Sequence, residues 1–210
     1  MKRDMSWAQA RDWLLKRLSG LDFSLYPETW EQMTFYLEAL EQKASFLNLT
    51  AVKSREERVR TQVLESLFLA INLPRGAFYC ADLGSGAGIP GFLVKLMRPE
   101  LKMLLLEALP KRVSFMQKII KELGLSGIEA HTLYLGRDPW PGPFDIVLAR
   151  GYGAVTKFTS HAAQCLRPGG QAFYLWRKDC EPWGKGPIPL RFEGQKELVG
   201  CKSPLLCWQA

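Results

Sequence analysis

The sequence predicts an α/β fold: a mostly parallel sheet with helices on both faces, preceded by N-terminal helices. Three observations predict it. Between residues 77 and 176, apolar strand-like runs alternate with segments of helical stepping. A glycine turn, Gly84-Ser85-Gly86-Ala87-Gly88, joins the first such strand to the first such helix, as at the start of a βαβ unit. Ahead of residue 74 the pattern is helical only. At 210 residues, 47% hydrophobic and 23% charged, the chain has the size and composition of one domain with a small appendage. The expected division is a helical extension over residues 1–73 packed on a core over residues 74–210.

Residues 6–19 read as an amphipathic helix, with Trp7, Ala10, Leu14, Leu15 and Leu18 at three- and four-residue steps, Ser6 as cap and Gly20 as stop. Residues 27–46 continue the stepping through Trp30, Met33, Leu37 and Leu40, and Asn48-Leu49-Thr50 interrupts it. Ser54, with Glu57 three residues on, opens a third helix as in a capping box, running to about Ile71. The aromatic-rich faces of these helices read as core. Pro74-Arg75-Gly76 then punctuates the chain. Strands follow at 77–83, 102–107, 128–133, 144–149 and 171–176, with helices at 90–97, 110–123 and 154–166 between them. The Pro168-Gly169-Gly170 turn is expected to end the last helix, and a hairpin is plausible from Lys178 onward. The run Phe144-Asp145-Ile146-Val147-Leu148-Ala149 is apolar enough to be buried on both faces.

The glycine turn carries the chemistry. Glycines at 84, 86 and 88 remove Cβ at alternate positions, so a ligand can lie against bare backbone, and Pro90 fits the first turn of the next helix. The N–H groups opening that helix point back toward such a ligand. The spacing Gly-x-Gly-x-Gly is not that of dinucleotide folds, and no Gly-Lys-Ser/Thr follows, which excludes a triphosphate loop. With Asp82 just before the first glycine, the pattern resembles that of S-adenosylmethionine-dependent methyltransferases. Asp82 can face the cationic end of that cofactor, and the backbone around Gly84, Ser85, Gly86, Gly88 and Pro90 its carboxylate. Glu107 ends the second apolar run about 20 residues past the glycines, the offset of a ribose-binding acid, and Ala108 follows it.

The bulk properties bound the rest. No stretch of about 18 apolar residues is present, so no membrane span is expected. The N-terminus has charge without an apolar segment behind it and does not read as a secretory signal. Five cysteines lack metal-ligand spacing and read as reduced thiols of a cytoplasmic protein; no metal is expected. The net charge of +7 suits a polyanionic partner such as nucleic acid, although many soluble proteins are this basic.

These residues together resemble the RsmG (GidB, glucose-inhibited division protein B) family over about residues 30 to 178. The resemblance rests on Asn48-Leu49-Thr50 ahead of Leu64-Glu65-Ser66 and on Asp82-Leu83-Gly84-Ser85-Gly86-Ala87-Gly88-Ile89-Pro90-Gly91. Arg98-Pro99, Glu107, Lys111-Arg112, Phe115, Asp145, Arg150 and Gly169-Gly170 follow at family spacing. Thr61-Gln62 stands where the family has Arg-His, Leu133-Tyr134 where it has a Ser-Arg pair near the adenine, and Arg177-Lys178 near its Lys-Gly. The C-terminus reads as lacking the family's closing strand. The resemblance implies a Rossmann-like class I methyltransferase that moves a methyl group from S-adenosylmethionine to N7 of a guanine in small-subunit (16S) ribosomal RNA. It implies ribosomal RNA or the small ribosomal subunit as partner, and a monomer is expected. N7 is an unprotonated lone pair, so no general base is required, and His131 and His161 read as bystanders. Arg150, at the end of the fourth strand, is the expected catalytic residue, matching guanine O6 or a phosphate; the alternative is a salt bridge at a strand end. Ala108, Leu133, Tyr134 and, besides its catalytic part, Arg150 are expected at the cofactor. Asn48, Lys111, Arg112, Arg177 and Lys178 are expected at the substrate; the alternatives are a turn cap for Asn48 and a solvated helix face for Lys111 and Arg112. Two other functions remain open: a methyltransferase of the same fold acting on another RNA or a small molecule, and a non-catalytic RNA-binding assembly protein.

Overall fold

The computed structural model describes residues 4–21, 24–47, 52, 54–76, 78–134, 136–177, 183–197 and 203–210. Five strands are parallel to one another: β1 (Tyr79–Leu83), β2 (Lys102–Glu107), β3 (Ile128–Thr132), β4 (Phe144–Arg150) and β5 (Leu166–Leu175). Two more, β6 (Arg191–Lys196) and β7 (Leu205–Gln209), complete a sheet of order β3-β2-β1-β4-β5-β7-β6. β7 runs antiparallel to both of its neighbours.

Side chains alternate across this sheet, as the two-residue period of a strand requires. Cys80, Ile146, Leu148, Phe173 and Leu175 join one apolar cluster; Ala81, Leu83, Val147, Ala149, Ala172 and Tyr174 join the other. The first face is covered by α1 (Trp7–Arg17), α2 (Pro27–Leu47), α4 (Leu64–Asn72), α5 (Gly91–Met97) and α6 (Pro110–Glu122), through residues such as Leu14, Leu37, Leu67, Phe92 and Met116. The second is covered by α7 (Val155–Cys165), through Phe158 and Ala162. The two-faced cover was expected; its unequal weight comes from the N-terminal helices, which all lie on one side.

The N-terminal caps form at the expected serines, and the reciprocal bond of a capping box closes at Ser6. Ser6 Oγ accepts the Gln9 N–H at 3.2 Å while Gln9 Oε1 accepts the Ser6 N–H at 2.9 Å. Ser54 Oγ accepts the Glu57 N–H at 3.1 Å, opening α3 (Arg55–Arg58). The expected third helix is not uniform, because a π-helical turn over Val59–Val63 separates α3 from α4.

Two expectations are corrected at the C-terminal side. β5 begins at Leu166, so Pro168-Gly169-Gly170 lies inside a strand and α7 ends before it, at Cys165. The closing strand is also present, as β7. The two corrections have one cause: Gly169 N–H donates to the Ala210 carbonyl at 3.0 Å and Ala210 N–H to the Gly170 carbonyl at 2.9 Å. The end of the chain draws the glycine turn into the ladder, a long-range pairing that no local pattern announces.

Candidate active site

In the parallel register, Asp82 lies opposite Leu105 on β2 and Leu148 on β4. Two residues further along each chain stand Gly84, Glu107 and Arg150. The register therefore delivers the glycine bend, a carboxylate and a guanidinium to one edge of the sheet, the edge where ligands of open α/β sheets bind.

The bend is tied down by its backbone. Ser85 N–H donates to the Leu106 carbonyl at 2.9 Å, and the Ser85 carbonyl accepts from Gly88 and Ile89 at 2.8 and 3.1 Å. Gly84, Gly86 and Gly88 all have left-handed φ angles of +65°, +61° and +107°. A Cβ at Gly86 would meet nothing within 4 Å, so this glycine presents open backbone. At Gly91 a Cβ would lie 2.7 Å from Asp82 Oδ2, and the glycine there serves close packing instead. Pro90 is the residue that opens α5. Ser85 turns its hydroxyl inward, 3.7 Å from Met116 Sδ, so it offers the bend only backbone.

Glu107 faces the bend. Its Oε2 accepts the Gly86 N–H at 2.9 Å and its Oε1 the Leu109 N–H at 3.0 Å, and only 6% of the residue is exposed. Arg112 Nη1 stands 3.6 Å from Oε1. Asp82 is wholly buried; Oδ2 accepts the Gly91 N–H at 2.8 Å, while the buried Oδ1 makes no hydrogen bond. Burial pushes the Asp82 carboxyl up to about 7; the Gly91 N–H opposes that shift and the Glu107 charge adds to it. An adenosyl ligand with a cationic amino-acid tail fits this donor set: open backbone at Gly86, an acid beside it, and an acceptor oxygen without a donor.

The other expected residues divide by place. Leu133 N–H donates to the Glu107 carbonyl at 3.0 Å, which sets the end of β3 beside the end of β2, and half-buried Ala108 follows Glu107. Tyr134 is exposed and starts a turn in which its N–H donates to Asp138 Oδ2 at 2.7 Å; the Arg137 guanidinium lies 5.7 Å from its ring centre. Lys111 is exposed in the first turn of α6, next to Arg112. Arg177 follows β5 by two residues. Asn48 and Lys178 lie outside the described residues.

Arg150 is placed differently from the expectation of an open cleft residue. Its Nε donates to Glu65 Oε2 at 2.8 Å, and the Glu65 side chain is 0% exposed against 16% for Arg150. A carboxylate buried on α4 needs a cation, and Arg150 supplies it. Asp145 and Arg98, both part of the family resemblance, are structural. Asp145 accepts the Tyr79 N–H at 2.7 Å at the opposite sheet edge. Arg98 Nη2 donates to the Pro74 carbonyl at 2.9 Å and Nη1 to the Ala70 carbonyl at 3.2 Å, at the end of α4.

Sequence reasoning gave no site role to Tyr36, or to Glu65 beyond its place in Leu64-Glu65-Ser66. Tyr36 Oη donates to the Ala87 carbonyl at 3.0 Å, and its ring stacks on Phe92 at 4.4 Å and 9°, locking α2 against the glycine bend. It falls on the face of Met33, Leu37 and Leu40, where the spacing marks it as inward but not as a contact to the bend. Among the described residues, no group of three or more His, Cys, Asp or Glu side chains could hold a metal ion, and no helix is long and apolar enough to cross a membrane.

The family described as GidB, rRNA small subunit methyltransferase G, matches residues 29–181. The chain belongs to the GidB family. This GidB member is 37% identical over 185 residues to ribosomal RNA small subunit methyltransferase G of Moorella thermoacetica, covering 85% of this chain and 75% of that one. It is 28% identical over 191 residues to the protein of the same name from Syntrophotalea carbinolica, covering 90% and 81%. Among solved structures, a SAM-dependent methyltransferase from Aquifex aeolicus superposes with a TM-score of 0.53 at 17% identity, over 73% of this chain and 92% of that one, a likeness of fold.

Proposed function

We propose that this GidB member transfers a methyl group from S-adenosylmethionine to N7 of a guanine in small-subunit ribosomal RNA. One observation carries the reading: Glu107 is seated on the N–H of Gly86, beside a buried Asp82 oxygen that has no donor. The cofactor supplies an activated methyl on a sulfonium, so the protein's task is placement. Each Glu107 oxygen accepts one N–H in the structure and has capacity for one ribose hydroxyl more. Asp82 Oδ1 is assigned to the cationic end of the cofactor, the open backbone at Gly86 to the adenosyl group, and Ala108, Leu133 and Tyr134 to the surroundings of the adenine. The acceptor N7 needs no base, which agrees with an edge that offers a guanidinium instead. Arg150, steadied by Glu65, is assigned to guanine O6 or a neighbouring phosphate. Lys111, Arg112, Arg177, Asn48 and Lys178 are assigned to the RNA backbone, where the +7 charge favours binding. The working form is taken as a cytoplasmic monomer acting on RNA or on the assembled small subunit.

The test is transfer of labelled methyl from S-adenosylmethionine into small subunits, free ribosomal RNA and small molecules, with N7-methylguanine mapped in cells with and without the gene. Label in N7 of one guanine of small-subunit RNA is the expected result. Calorimetry that detects no cofactor binding at millimolar concentration would remove the proposal.

A further inference from the structure

Beyond β4 the chain makes a short loop, Gly151 to Ala154, in which Tyr152 is tied at its hydroxyl and at its N–H. A Cβ placed on Gly84 would lie 3.0 Å from Tyr152 Cδ2 and 3.1 Å from Cε2, so the tyrosine ring rests directly on the glycine that opens the bend. β1 and β4 are neighbours in the sheet, and the ring thus occupies the carboxyl edge between cofactor bend and solvent, where it is half-buried. Three hydrogen bonds hold this segment, one at the ring hydroxyl and two along the backbone. Tyr152 Oη lies 2.6 Å from His161 Nδ1 on α7. Tyr152 N–H donates to Tyr174 Oη at 3.0 Å, and the same hydroxyl donates to the Gly153 carbonyl at 2.6 Å. Tyr174 is fully buried on β5, a rigid post for the loop. His161 is itself backed edge-on by Trp140 at 4.9 Å, and Lys157 Nζ stands 5.4 Å from the centre of the Tyr152 ring.

A half-buried tyrosine anchored only for packing would not need its hydroxyl, its N–H and the next carbonyl all fixed. A planar ring fixed to this degree beside the methyl-donor pocket is suited to align another planar ring. We propose that Tyr152 is the wall against which the acceptor purine is placed, and that His161 and Tyr174 are positioning residues acting through it. This inference rests on the methyl-transfer reading above. A purine ring laid on the tyrosine face gains stacking energy without sequence readout, and its N7 is brought to a set distance from the pocket. Lys157, over the same ring, adds a cation for the flanking phosphate.

The experiment compares Tyr152→Phe, which keeps the ring, with Tyr152→Leu, which keeps apolar bulk but has no plane, in methyl transfer to the RNA accepted by the unaltered protein. A cofactor titration and a thermal melt accompany each variant. For Tyr152→Phe, which keeps the plane but loses the His161 hydrogen bond, kcat/KM for RNA is expected to fall by about threefold, as in His161→Ala. For Tyr152→Leu a loss of about tenfold or more is expected, mainly in KM for RNA, with cofactor Kd within about twofold and a melt that stays cooperative. His161→Ala is expected to lower kcat/KM in the native background and to add nothing in the Tyr152→Leu background. Unchanged transfer by Tyr152→Leu, or Tyr152→Phe falling as far as Tyr152→Leu, overturns the proposal. If His161→Ala lowers transfer equally in both backgrounds, its action through Tyr152 is refuted. Failure of the unaltered protein to transfer methyl to any RNA counts instead against the proposed function.

Discussion

The carboxyl of Asp82 is fully buried, its Oδ2 bonded to the Gly91 N–H and its Oδ1 bonded to nothing. Burial raises its pKa from 3.8 to about 7. A folded-state pKa above the unfolded one means that folding favours the protonated acid. That contribution is whole below about pH 4 and is lost as pH rises through about 7. Asp82→Asn is therefore expected to melt higher than the native protein at pH 8, without cofactor, with the difference shrinking toward pH 4. A melting series across that range checks it, and a constant difference would contradict the assigned titration. A cation beside Oδ1 reverses the preference, because it favours the ionised form. S-adenosylmethionine affinity is expected to fall as pH drops below about 7, with a proton released on binding near that pH, measurable by calorimetry in buffers of different ionisation heat. Glu107 plays the complementary part. Glu107→Ala removes the acceptor of the part-buried Gly86 and Leu109 N–H groups and is expected to cost about 1–3 kcal/mol in urea unfolding, and about tenfold or more in cofactor affinity.

The elements are joined at this edge by the Glu65–Arg150 pair, which bridges α4 and β4 across 85 positions of sequence. With Glu65 fully buried, Arg150→Ala leaves a carboxylate without its cation, a loss of about 3–5 kcal/mol. Glu65→Leu with Arg150→Met removes both charges and is expected to restore most of that stability in urea unfolding while methyl transfer stays low. Recovery of transfer by the double variant would reduce Arg150 to a structural role. This pair also shows where sequence reading stops. The glycine bend, Asp82 and Glu107 were legible because each is a local pattern at a strand end, and the strand and helix spans follow from two- and four-residue periods. Glu65 was visible within Leu64-Glu65-Ser66, yet nothing local says that it reaches Arg150. The same holds for Tyr36 on the Ala87 carbonyl, and for β7, whose pairing with β5 is made across the whole C-terminal segment. Non-local contacts fix which side chains meet, and periodicity reports only which face each one is on.

At the scale of the whole molecule, the N-terminal helices and the sheet share one continuous apolar cluster, running from Leu14 and Tyr36 through Phe92 and Met116 to Leu148 and Leu175. The division into an extension and a core, drawn near residue 74, follows chain order and cuts across this cluster. Met33, Tyr36, Leu37 and Leu40 are fully buried, and each such side chain is worth about 1.5–3 kcal/mol relative to exposure. The sum over α2 alone is of the same order as the whole stability of a domain, about 5–15 kcal/mol. Removing residues 1–73 would also leave the Ala87 carbonyl without the Tyr36 hydroxyl and Arg150 without Glu65, so the damage reaches the bend itself. Residues 74–210 expressed alone are therefore expected to show no cooperative thermal transition and no cofactor binding, while the full chain melts in a single step. Calorimetry of the two chains decides the matter: two separate transitions in the full chain, or a folded fragment that binds cofactor, would establish the helices as an independent domain.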